Sequence, residues 1–123
     1  MTGREVFVRA LQLLNYTDPS GNVSARQNGE LFKRAAPVMN QVLADVQRIA
    51  GAEFHPIADL NEDLPVSDDV ATRVMPYGVA MHIAQSENDG DNQQLMAQLY
   101  NQLRGSVPRE SGYRVDKLPR VCL

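Results

Sequence analysis

The side chains best suited to chemistry in this 123-residue chain are two histidines, one cysteine and a run of acids. His55 stands before a proline, and His82 sits between Met81 and Ile83. Neither has a second ligand one helical turn away, and Cys122 is far off in sequence. A metal site built on them needs carboxylates recruited from elsewhere. Glu87, Asp89, Asp91 and Asn92 place oxygen ligands at close intervals, as a calcium loop does. The later glycine and glutamate positions of such a loop are missing, and helix capping with a tight turn accounts for the same residues. Serines 20, 24, 67, 86, 106 and 111 lack the glycine-flanked elbow of a nucleophile. No glycine-rich phosphate loop is present. Glu62/Asp63 and Asp68/Asp69 are adjacent pairs, which on a helix diverge by about 100° and do not face each other as acid and base. The residues therefore point away from catalysis, and the reading is a non-enzyme with no cofactor and no metal.

Interaction is the better-supported chemistry. Residues 104–123 carry Arg104, Arg109, Arg114, Lys117 and Arg120 against Glu110 and Asp116, whereas the preceding residues carry an acidic excess. An acidic body with a basic terminal arm is electrostatically suited to associate arm on body. The same acidic body argues against sequence-specific duplex binding, which needs a basic face. The arm also holds Tyr113, Val115, Leu118, Val121 and Leu123, with Gly105, Pro108, Gly112 and Pro119 as helix breakers. The expected partner-binding residues are Arg109, Tyr113, Arg114, Val115, Lys117, Leu118, Pro119 and Arg120.

Four helical stretches must carry that arm. The first spans about Gly3 to Asn15, with Thr2 and Glu5 spaced as a capping box and Val6, Phe7, Ala10, Leu11 and Leu14 as its apolar stripe. The turn-rich Tyr16–Asn22 ends it. The second starts between Ser24 and Glu30, with Ser24/Gln27 or Asn28 as cap, and ends near Ala50. Leu31, Ala35, Val38, Val42, Asp45/Val46 and Ile49 share one face, which Phe32, Met39 and Leu43 widen. Gly51 is placed for a left-handed cap. Residues 52–66 form a loop whose Phe54, Ile57, Leu60 and Leu64 are expected to pack on the body. The third helix begins at Ser67, with Asp68 and Asp69 in its first turn and Val70, Val74, Tyr77, Met81 and Ala84 facing inward. The fourth runs from about Asn92 to Arg104, with Leu95, Met96, Leu99, Tyr100 and Leu103 as its stripe and Gly105 as its stop.

Pro37 and Pro76 fall inside the second and third stretches. Each predicts a kink or break, with Gly78 beside the second, unless it marks a helix start. At 43% apolar and 22% charged residues the chain fits one globular domain, an all-α bundle of about four helices over 1–105 with an extended arm over 106–123. No apolar run is long enough to span a membrane, the N-terminus is too charged for a secretory signal, and one cysteine fits a reducing compartment.

Three segments carry a likeness to a known family: ALQLLNYTD (Ala10–Asp18), FKRAAPVMNQVLADV (Phe32–Val46) and the stretch Leu64–Arg104, with PYGVA (Pro76–Ala80) and LYNQ (Leu99–Gln102) its most distinctive parts. The chain resembles the small helical head–tail connector proteins of tailed bacteriophages, also called adaptors or head-completion proteins, over roughly residues 8–120. The resemblance implies a helical bundle that forms a homo-oligomeric ring, commonly a dodecamer, beneath the portal protein at the neck of the virion. Such a ring extends the channel for genomic DNA, without sequence-specific binding, and offers a platform for stopper or tail-side proteins. It implies assembly in the host cytoplasm and no membrane partner. A helical protein-interaction or DNA-contacting adaptor outside a virus is the alternative.

Overall fold

A computed structural model describes residues 1–23 and 28–109. Six helical segments follow one another: α1 (Gly3–Leu13), α2 (Gly29–Lys33), α3 (Ala35–Ala50), α4 (Asp68–Arg73), α5 (Met75–Ser86) and α6 (Gly90–Arg104). The all-α bundle is as expected, and the described residues hold no strand beyond one isolated bridge between Thr2 and Asp63. The Ser24/Gln27 cap lies outside the described residues.

α5 is the hub. It packs against α1, α3, α4 and α6. Its sequence MPYGVAMHIAQS has no charged residue other than a titratable histidine, so it can be surrounded by other helices without stranding a charge. Met75, Val79, Ala80, Ile83 and Ala84 are buried on it. The inward face therefore runs through Val79 and Ala80, while Tyr77 and Met81, expected inside, are only half-buried. Against α5 lies the stripe of α1, with Val6, Phe7, Ala10 and Leu11 fully buried, and from α3 come Met39, Val42, Leu43 and Val46.

The capping box of α1 is formed: the Glu5 amide donates to Thr2 Oγ1 at 3.2 Å, and the Thr2 amide donates to Glu5 Oε1 at 3.0 Å. Two further amides at this end, of Gly3 and Arg4, donate to the carbonyls of Glu62 and Leu60, at 3.2 and 2.8 Å. Those helix-terminal donors have no partner inside their own helix, so the 52–66 loop satisfies them and is fixed to α1 in return.

Both prolines mark helix starts. Pro37 is the third residue of α3 and Pro76 the second of α5. A proline there removes an amide that has no intrahelical acceptor, so it costs little. The chain breaks just before each, at Arg34 and at Val74, and each expected long helix becomes a short helix followed by a longer one. Gly78 is not a kink position. It lies within the unbroken α5, where a Cβ would stand 2.7 Å from a ring carbon of Tyr100 and 3.0 Å from Cγ1 of Val42. Its lack of a side chain sets how closely α5 and α6 approach.

Two apolar expectations fail. Phe54 is 51% and Leu95 48% exposed, whereas Ile57 and Leu64 are buried and Leu60 is partly so. α6 lies on the outside of the bundle, so only the narrow seam through Met96 and Tyr100 reaches the interior, and Leu95 falls beyond its edge. Phe54 precedes a stretch whose backbone is held by α3: Gln47 accepts from the His55 amide at 2.9 Å and donates to its carbonyl at 3.4 Å. Asn40 does the same for Ile57, at 2.8 and 2.9 Å. Gly51 takes the left-handed conformation, φ 79°, that ends α3.

Candidate interaction surface

Everything that positions the C-terminal segment converges on the last turn of α6. Asp45, on α3, accepts from Tyr100 Oη at 2.7 Å, from Arg104 Nε and Nη2 at 2.9 and 2.6 Å, and from Arg48 at 2.9 Å. The fork of the guanidinium matches the two carboxylate oxygens, so this pair fixes orientation as well as distance. The hydrogen bonds from Arg104, then those from Tyr100 and Arg48, hold the Asp45 carboxyl down to about 2, against the opposing effect of burial. Burial, then the bond to Asp45, pushes the Tyr100 hydroxyl above its ordinary value. His82 lies close enough to feel Asp45, yet its own burial dominates and lowers its pKa.

Beyond Arg104 the chain does not leave the body at once. The amides of Ser106 and Val107 donate to the carbonyls of Leu103 and Arg104, at 3.0 and 3.3 Å. Ser106 Oγ donates to the Leu103 carbonyl and accepts from Arg73 Nη1, both at 2.6 Å. Val107 is 7% exposed and belongs to the core cluster. The first described residues of the 106–123 segment thus pack against their own subunit, because one apolar side chain and a hydroxyl are captured there.

Alongside them runs a groove of about 200 Å³, between the end of α3 and the start of α4. Val46 and Ala50 of α3, Val66 and Val70, and Val107 and Pro108 line it, and Arg109 is part of the lining. The sequence makes this groove in a simple way. α3 stops at Gly51, α4 is started by Ser67, whose hydroxyl accepts from the Val70 amide at 3.3 Å, and Pro65 stiffens the chain between them, as Pro108 does the chain after α6.

Of the residues expected to bind partners, Arg109 is exposed at this groove. Tyr113, Arg114, Val115, Lys117, Leu118, Pro119 and Arg120 lie outside the described residues, as does Cys122. The residues weighed for chemistry are dispersed. His55 is exposed in the loop, and His82 is half-buried on α5. Asp89 precedes α6 without a side-chain cap bond to its amides; it accepts from Asn92 Nδ2 at 2.7 Å and Tyr16 Oη at 2.8 Å, and those two bonds lower its carboxyl pKa. Glu87 pairs with Arg34 at 3.3 Å, and Asp69 with Arg73 at 2.9 Å. Among the described residues no three of His, Cys, Asp and Glu come together as a metal site, and no helix is long and apolar enough to cross a membrane.

Sequence reasoning passed over Gln47, Asn40 and the Asp45 hub as parts of the machinery that holds this surface. A signal was present for Asp45: it is a carboxylate inside an otherwise apolar stripe, which demands a partner from another helix. No protein-family model, curated protein or solved structure matches this chain.

Proposed function

We propose that this chain is a structural connector that acts by docking and not by catalysis: a subunit of a ring beneath the portal protein of a tailed bacteriophage. It lengthens the DNA channel there and receives stopper or tail-side neck proteins. The observation that carries this reading is the way the C-terminal segment is launched. The Asp45–Arg104–Tyr100 cluster and the buried Val107 hold the described start of the segment, Ser106–Arg109, on the body, and residues 110–123 follow it in sequence. A rigid base with an apolar, basic extension suits a subunit that must grip a neighbour. Contacts made by residues 110–123 then add area without enlarging the body.

The sequence likeness over Ala10–Asp18, Phe32–Val46 and Leu64–Arg104 supplies the identity of the assembly. Exposed Phe54 and Leu95 add apolar anchors outside the core, of the kind that interfaces bury. Ring closure then follows from a head-to-tail contact whose rotation divides a full turn.

The test is electron microscopy of the chain mixed with a candidate portal, comparing the full chain with a form ending at Arg109. Truncation at that point spares Val107 and so leaves the body whole. Closed rings on the portal with the full chain, lost on truncation, are expected. Normal docking by the truncated form would remove the arm from the mechanism, and absence of any ring or portal complex would remove the connector reading.

A further inference from the structure

The groove beside Val107 is an apolar site at the point where residues 110–123 begin. Val46, Ala50, Val66 and Val70 line it together with Val107 and Pro108. We propose that in the free subunit this groove is occupied by Tyr113 and Val115 of the same chain.

Chain geometry makes the return short. Arg109 is among the residues lining the groove, and Glu110, Ser111 and Gly112 separate it from Tyr113. Those three residues span at most about 10 Å when extended. A serine–glycine pair is well suited to reversing the chain, because glycine takes left-handed turn conformations without a steric penalty. In extended chain, alternate side chains share a face, so Tyr113 and Val115 enter together while Arg114 faces solvent. Tyrosine adds a large apolar face with a hydroxyl that can stay wet at the open mouth.

The choice between the subunit's own segment and that of a second copy follows from concentration. A tether of a few residues holds its end at an effective concentration of the order of mM, so for chains at about 10 µM identical contacts favour the subunit's own segment roughly 100-fold. The inference stands on the groove and does not require the connector reading. If that reading holds, the arm's apolar residues are kept at home until a docking partner offers them more surface.

The test uses the full chain with one nitroxide label, on Asp116→Cys in a Cys122→Ser background, and reads paramagnetic broadening of backbone amides by NMR. Broadening at Val46, Ala50, Val66 and Val70 that persists when the labelled chain is diluted into excess unlabelled chain is expected. Adding Tyr113→Ser and Val115→Ser should abolish it without shifting resonances of Phe7 and Val79. Val66→Glu should abolish it as well. Broadening that appears instead on isotope-labelled, nitroxide-free chains mixed with labelled ones would assign the groove to a second copy and overturn the proposal. No broadening at the groove in either mixture, or broadening that survives Tyr113→Ser and Val115→Ser, would also overturn it.

Discussion

Asp45→Asn is the substitution that bears hardest on how α6, and with it the C-terminal segment, is held. Asparagine keeps the shape of the side chain and loses the charge that both nitrogens of Arg104 and the Tyr100 hydroxyl address. Arg48 adds little, since 71% of its side chain is exposed. In the folded chain the Asp45 carboxyl sits at about 2, against an ordinary value of 3.8. A shift of that size corresponds to roughly 2.5 kcal/mol, which solvent screening at a partly exposed site reduces to about 1–2 kcal/mol. The net worth of a single hydrogen bond to a charged group, about 1.5–3 kcal/mol, is of the same order. The folded value is depressed, so the stabilisation is fully present above the unfolded value near 4. It is lost as pH falls towards 2, where the wild-type carboxyl is protonated as well. Urea unfolding of both proteins at a series of pH values measures this. The expected result is a deficit of about 1–2 kcal/mol for Asp45→Asn at pH 7 that narrows steadily below pH 4. A deficit under about 0.3 kcal/mol at pH 7, or one that stays constant down to pH 2, would refute the view that this carboxylate anchors the last turn of α6.

Two further substitutions test the packing. Gly78→Ala places a methyl against the Tyr100 ring and Val42, so overpacking of about 1–3 kcal/mol should outweigh the roughly 1 kcal/mol that alanine gains as a helix former. A raised melting temperature would show that α5 and α6 do not meet as closely as described. Pro37→Ala separates a helix start from a kink. At the third position of α3 the change should move stability by less than about 1 kcal/mol, whereas relief of an interior proline would stabilise by about 3 kcal/mol, and thermal melts distinguish the two.

Much of the fold was legible because it is written in local rules. The capping box at Thr2 and Glu5, the left-handed cap at Gly51, the Ser67 start and the 3.6-residue stripes of α1 and α3 each depend on residues within a turn or two of one another. The breaks at Arg34 and Val74 were half-legible. Proline signals an interruption, but whether it bends one helix or starts another depends on what happens to the preceding turn. Leu95 and Phe54 were misplaced for a common reason. Periodicity says which residues share a face, and only the neighbouring elements decide how wide a strip of that face is covered.

The interaction surface divides along the same line. Sequence determined that residues 106–123 combine apolar and basic side chains after a helix stop, since composition and breakers suffice for that. Only tertiary structure decided that Val107 returns to the core, that Asp45 of α3 clamps Arg104 and Tyr100 of α6, and that α3, α4 and the outgoing chain leave a groove where the extension begins. Each of these joins residues distant in sequence, 55 and 59 positions apart in the Asp45 clamp. Such pairs form because burial requires every buried polar group to find a partner and every apolar face a cover, a condition that no short window of sequence can express.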